Sequence, residues 1–166
     1  KLFADALATS PQPTIFQLHN LHGDYFDLRF LPTLSHHNPT FITLHDSWLF
    51  TGHCAHGVDC TRWKTGCGNC PHLDYYPART RDKTTENWKL KRTLARQSHL
   101  NVIVPSPWMQ RQVEDSLLAD ALESLTIIPN GIDTTVFTPV GQDSARIALN
   151  IPEDAFVVGV SALEGN

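Results

Sequence analysis

Five short runs rich in β-branched and apolar residues, separated by stretches with helical spacing, constrain this chain more than any other feature. They are residues 14–18, 40–44, 100–104, 125–128 and 155–160. Runs of this length, bounded by polar or turn-forming residues, read as buried strands. Between them, residues 25–34 carry Phe26, Leu28, Phe30, Leu31 and Leu34, the spacing of a helix with one buried side, with Pro32 predicting a kink or a late start. Residues 82–97 repeat the pattern with Trp88, Leu90 and Leu94 set among Lys89, Lys91, Arg92 and Arg96. Ser106 followed by Pro107 is a helix start, the hydroxyl capping a free amide and the proline suiting the first turn, and that helix should run to about Ala119. A short helix is expected over residues 144–149. Strands separated by helices pair in parallel, so the expected class is α/β, a parallel sheet layered with helices.

Residues 47–76 break this rhythm. They are rich in Gly and Cys without a sustained period and read as an ordered insert. All four cysteines fall here, Cys54, Cys60, Cys67 and Cys70, with gaps of five, six and two residues. A Cys-x-x-Cys turn, Cys67-Gly68-Asn69-Cys70, lets two thiolates face one ion, and four thiolates within 17 residues complete a tetrahedral zinc site. Such an ion contributes on the order of 10 kcal/mol to ordering a loop with little core of its own. The other readings are two disulfides, which a reducing compartment disfavours, or four unconnected thiols. His53, His56 and His72 are near enough in sequence to replace a thiolate. Four thiolates leave no open position, so the expected metal is structural.

Composition narrows the partners. Thirteen basic against 17 acidic residues leave a formal charge of −4, which argues against a nucleic-acid partner. No apolar run approaches the length that spans a bilayer, and residues 1–14 lack the apolar centre of a signal peptide, so the expected location is cytoplasmic. The chain opens on Lys1 and stops just after a strand-like run, the pattern expected of a portion of a longer protein.

Ligands of open α/β sheets bind at the carboxyl ends of the strands. His19-Asn20 ends the first run and His45-Asp46 the second. An imidazole there can donate to a sugar hydroxyl and a neighbouring carboxylate can orient the ring, although such a pair also serves simply to satisfy loop amides. No Gly-x-Gly-x-x-Gly follows a strand and no Walker-type Gly-Lys-Ser/Thr occurs. Trp48, Trp63, Trp88 and Trp108 can stack on sugars, but buried anchors are the commoner use. The run Lys89, Lys91, Arg92 and Arg96 reads as a solvated helix face, with contact to anionic lipid headgroups as the second reading.

Several segments together resemble the family 4 retaining glycosyltransferases, in particular the cysteine-containing branch associated with bacterial exopolysaccharide and colanic-acid-type synthesis. They are His19-Asn20-Leu21-His22-Gly23, Thr43-Leu44-His45-Asp46, Thr51-Gly52-His53-Cys54, the distinctive run from Arg62 to Pro71, Val104-Pro105-Ser106, and the segment from Ile128 to Asp133. The resemblance implies a GT-B fold, two Rossmann-like parallel sheets with helices on both faces meeting at a cleft. Residues 1–128 would be the later part of the acceptor-binding domain, and residues 129–166 the hinge and start of the nucleotide-sugar-binding domain. It implies transfer of a sugar from a nucleoside-diphosphate-sugar to a glycan or lipid-linked acceptor with retention, and possible peripheral contact with the inner membrane. Among site residues it implies His45 facing the donor sugar, with Asp46 positioning it or the acceptor. His19, Asn20, His22 and Gly23 would line the acceptor side, and Asn130 and Gly131 the hinge near the donor. No catalytic metal is implied. The family's glycine-rich loop would lie before Lys1 and its paired glutamates after Asn166, so the segment alone is expected to be inert. The competing readings are a zinc-stabilised interaction module and another Rossmann-type sugar-nucleotide enzyme, such as an epimerase.

Overall fold

Strand β2 (Thr40–Thr43) is paired on both edges, with β1 (Phe16–His19) on one side and β3 (Leu100–Val104) on the other. Beyond β3 lies β4 (Leu122–Ile127), giving the order β1-β2-β3-β4 with every pair parallel. This computed structural model describes residues 14–23, 25–57 and 59–160, so most of the stretch read for a signal peptide lies outside it.

The parallel strands are joined by crossovers carrying α1 (Leu31–His37), α2 (Thr84–Arg96) and α3 (Pro107–Glu114). Each crossover advances one strand in the same direction, and right-handed connections then put all three helices on one face. The core follows that rule. Leu31, Trp88, Ala95, Met109 and Val113 share one cluster with Ile42, Leu100, Val102 and Val104. The other face carries Gln17, Asn101, Ser124 and Thr126, part-exposed or exposed, with Gln17 donating to Thr43 Oγ1 at 2.8 Å and Ser124 to Asn101 Oδ1 at 2.7 Å. The expected α/β, Rossmann-like parallel sheet is therefore present, and α1, α2 and α3 cover one of its faces.

Local chemistry sets the boundaries. Before α1 the chain makes a 3-10 turn, Leu28–Phe30, capped by Asp27, and Pro32 sits in the first turn of the helix, so the late start applies. Ser106 caps α3 by accepting from the Met109 amide. That helix ends at Glu114 rather than near Ala119. Ser116 stops it, its hydroxyl donating back to Val113 O at 2.8 Å and accepting from Leu118 N at 3.1 Å. The strand expected at residues 125–128 is β4 and begins at Leu122; the helix expected at residues 144–149 is α4 (Gln142–Ala148). Residues 155–160 form no strand: a strand needs a ladder partner, and among the described residues none pairs with them.

The insert over residues 47–76 has two 3-10 turns, Trp48–Phe50 and Arg62–Lys64, in otherwise irregular chain. An aromatic plug holds it. Phe50 and Trp63 are buried with ring centres 5.3 Å apart, and Trp88 Nε1 of α2 donates to Trp63 O at 2.8 Å. Gly68 is required where it stands: its φ is +147°, and a Cβ would lie 2.4 Å from Thr85 Oγ1.

The chain divides into two units, one ending at Asn130 and one starting at Gly131. The second contains α4 and a turn at Asp133, whose carboxylate accepts from Thr135 N and Oγ1. Among the described residues no helix is long and apolar enough to cross a membrane.

Candidate active site

The parallel register of β1 on β2 pairs His19 with Thr43, so the two strands end side by side. The residues just beyond them therefore meet. His19 Nδ1 lies 2.9 Å from His45 Nε2, and the rings stack with centres 5.2 Å apart and 18° between planes. One nitrogen of that contact must carry hydrogen and the other accept it, so the neutral pair shares a proton between two exposed imidazoles.

Asp46 pairs with His22. Among the described residues no hydrogen bond joins it to His45. Its Oδ2 lies 2.9 Å from His22 Nε2, both side chains being only 11–13% exposed, and its Oδ1 accepts from the Trp48 amide at 2.8 Å. The backbone explains the reach of His22. Asn20 takes φ +39° and Gly23 φ +101°, a left-handed pair of turns that folds the segment back over the end of β2. Tyr25 Oη fixes the bend by donating to His19 O and Asn20 O. Asn20, His22, His45, Asp46 and Trp48 line one small hollow there. Two exposed imidazoles beside a part-buried Asp–His pair can hold sugar hydroxyls and relay a proton at the strand ends. Asn130 and Gly131 are exposed at the boundary between the two units.

The family model described as Glycosyltransferase Family 4 matches residues 2–136. The chain belongs to that family. It is also similar to the putative colanic acid biosynthesis glycosyl transferase WcaC of Escherichia coli (strain K12), with 36% identity over 137 residues, covering 73% of this chain and 32% of the relative. The chain thus spans about a third of the length of that curated relative. No solved structure matches.

Within this family 4 segment, sequence reasoning missed the burial of Lys91 and the joining role of Trp48, which it read only as a sugar-stacking ring or a buried anchor. Trp48 joins the parts of the site, donating its amide to Asp46 and setting its ring 5.7 Å from that of His22. Lys91, read as part of a solvated basic face, is 5% exposed. Its ammonium donates to Trp48 O at 2.5 Å and Thr51 O at 3.0 Å and sits 3.6 Å from the Trp48 ring centre. Burial pushes its pKa down to about 7. The periodicity held the clue, because Thr84, Trp88, Lys91 and Ala95 recur on the buried stripe of α2. Of the other tryptophans, Trp63 and Trp88 are buried anchors, while Trp108 is 56% exposed.

All four cysteines are free thiols. Burial pushes the Cys67 thiol up to about 11 and that of Cys54 up as well, and the thiols lie near enough that ionising one raises the cost of ionising its neighbours. The Gly52 amide donates to Cys67 Sγ at 3.2 Å, and Cys70 Sγ lies 3.5 Å from His53 Nε2, whose other nitrogen faces Pro77 O at 3.3 Å. Soft thiolates with an amide donor and an oriented imidazole are a donor set that suits zinc. Among the described residues, however, no three His, Cys, Asp or Glu side chains converge into a ligand group. Asp82 ties this region to α2: its carboxylate accepts from the Cys70 amide and from Thr84 N and Oγ1, and these bonds hold its pKa down at about 2.

Proposed function

We propose that this chain is the acceptor-side portion and hinge of a bacterial glycosyltransferase that moves a sugar, with retention, from a nucleoside-diphosphate-sugar to a glycan or lipid-linked acceptor in the synthesis of a colanic-acid-type exopolysaccharide. The observation that carries the reading is the cluster of His19, His45, His22 and Asp46 at the carboxyl edge of β1 and β2 in a family 4 chain. The name of the relative supports the polysaccharide context. In this reading His45 faces the donor sugar, and His19 shares its proton and holds it upright. Asp46 sets His22 toward the acceptor, with Asn20 and Gly23 shaping the same wall. Residues 1–128 belong to the acceptor domain; residues 129–166, with Asn130 and Gly131, open the donor domain.

The zinc reading of Cys54, Cys60, Cys67 and Cys70 belongs to the same proposal. Its support is their spacing in the sequence and the contact of Cys70 with His53. A bound ion there supplies a cross-link for the insert and no chemistry at the sugar.

The test is to incubate the full-length protein with UDP- and GDP-sugars and a lipid-linked glycan acceptor, then read product and anomeric configuration by NMR. Net transfer with the donor's configuration kept is expected. Isomerised donor without transfer, or an inverted product, would contradict the reading.

A further inference from the structure

The hollow at the ends of β1 and β2 is too small for a whole sugar. About 10 Å³ is open between Asn20, His22, His45, Asp46 and Trp48, room for one hydroxyl or water but not for a pyranose ring. A glycan that sends a hydroxyl to His22 and Asp46 must therefore rest its ring on the rim. Two aromatic residues of this region are already engaged. Lys91 Nζ covers a face of Trp48, 3.6 Å from the ring centre, and Tyr25 Oη is tied to the carbonyls of His19 and Asn20.

Tyr76, the last residue of the insert, is placed differently. Its ring stands nearly perpendicular to that of His22, with centres 5.7 Å apart and 81° between planes, and the residue is 64% exposed. Its hydroxyl has no hydrogen-bond partner among the described residues. The backbone beneath it is held. Tyr76 O accepts from the Ala55 amide at 2.8 Å, and Ala55 O accepts from the Ser47 amide at 2.7 Å, which ties Tyr76 to the residue after Asp46. On its other side, His53 Nδ1 lies 3.3 Å from Pro77 O. A lone exposed tyrosine needs no explanation. Here, though, a free ring on a fixed backbone meets an imidazole of the strand-end cluster.

We propose that Tyr76 is the platform of an acceptor subsite, stacking on the apolar C–H face of a pyranose ring whose hydroxyl enters the hollow at His22 and Asp46. The inference rests on the acceptor-side reading of this segment and adds the class of group bound and its pose. A tyrosine ring supplies a large, rigid contact at little entropic cost, and its polar tip stays in water. Stacking fixes the plane of the sugar, and the residues of the hollow then select which hydroxyl points inward, so the two together discriminate between sugars. This also gives the insert a part in the site. The plug of Phe50 and Trp63 anchors it to the core, and the bonds through Ala55 carry Tyr76 to the wall built by β1 and β2.

The test is saturation-transfer NMR of the full-length protein with oligosaccharides released from colanic acid by mild acid hydrolysis. It uses no sugar donor and reads no turnover, so its outcome is separate from that of the transferase reading. Wild type should saturate the C–H protons along one face of a pyranose ring. Tyr76→Ala should weaken binding about 5- to 10-fold with its thermal melt unchanged, while Tyr76→Phe, which keeps the ring, should bind as wild type. Tyr76→Leu, which fills the space without a ring, carries the same test if the alanine variant does not fold. In the transfer assay the alanine variant should raise KM for the acceptor and leave KM for the donor as in wild type. Absence of glycan binding by the wild type, wild-type binding by Tyr76→Ala, or equal loss in Tyr76→Phe would each overturn the proposal.

Discussion

Lys91 buries an ammonium against two backbone carbonyls and an indole face, and the residue it grips, Trp48, in turn holds Asp46 and sets its ring tilted against that of His22. Burial pushes its pKa down to about 7. The unfolded lysine keeps its proton up to its ordinary value near 10.4. Between those values the unfolded chain binds more protons, so raising the pH favours the folded form. Relative to Lys91→Met, the full-length wild-type protein should therefore gain up to about 1.4 kcal/mol of stability per pH unit between pH 7 and 9. Thermal melts of the two proteins across that range check it, and parallel curves would contradict it. Above pH 9 the half-buried thiols of Cys54 and Cys67 act in the opposite direction, because the unfolded chain loses those protons first. His19 and His45 were legible as strand-end residues, since each follows an apolar run. Their pairing was not, because it depends on strand register, which a single run does not encode.

At the scale of elements, four of the five expected strands formed, because each has at least one neighbour to supply a ladder. Residues 155–160 have equal β-propensity and no ladder, which is why local pattern alone misled there. Helix starts were legible through Ser106-Pro107 and Pro32. The end of α3 was not, since it turns on hydrogen bonds made by the Ser116 hydroxyl rather than on apolar spacing. The cysteine insert was legible as an interruption, but its aromatic plug on α2 was not, because Trp63 and Trp88 are 25 residues apart. That plug allows the insert to keep its place without an ion, so removing metal should loosen the cysteine turns more than the plug. Full-length protein purified under reducing conditions should carry close to one zinc per chain. Chelation should then free four titratable thiols and raise hydrogen exchange over residues 52–70, with much less change at Trp88. Metal-free protein with four freely titrating thiols from the outset would contradict the zinc reading.

Across the whole molecule, the parallel sheet and the strand-end cluster belong together: parallel strands end on the same edge, so residues far apart in sequence, His19 to His22 and His45 to Trp48, share one wall. The residues from Gly131 onward form a separate unit, and the proposal that they open a donor domain rests on the family resemblance rather than on their own contacts. The segment matches about a third of its relative, so activity is to be sought in the full-length protein. The most direct measurement is release of nucleoside diphosphate that depends on acceptor, compared between full-length wild type and His45→Ala, with thermal melts matched. The account predicts acceptor-dependent release by the wild type and a loss of about 10²–10⁴-fold in kcat for the variant. Wild-type turnover in the variant, with the fold intact, would remove His45 from the site and contradict the account.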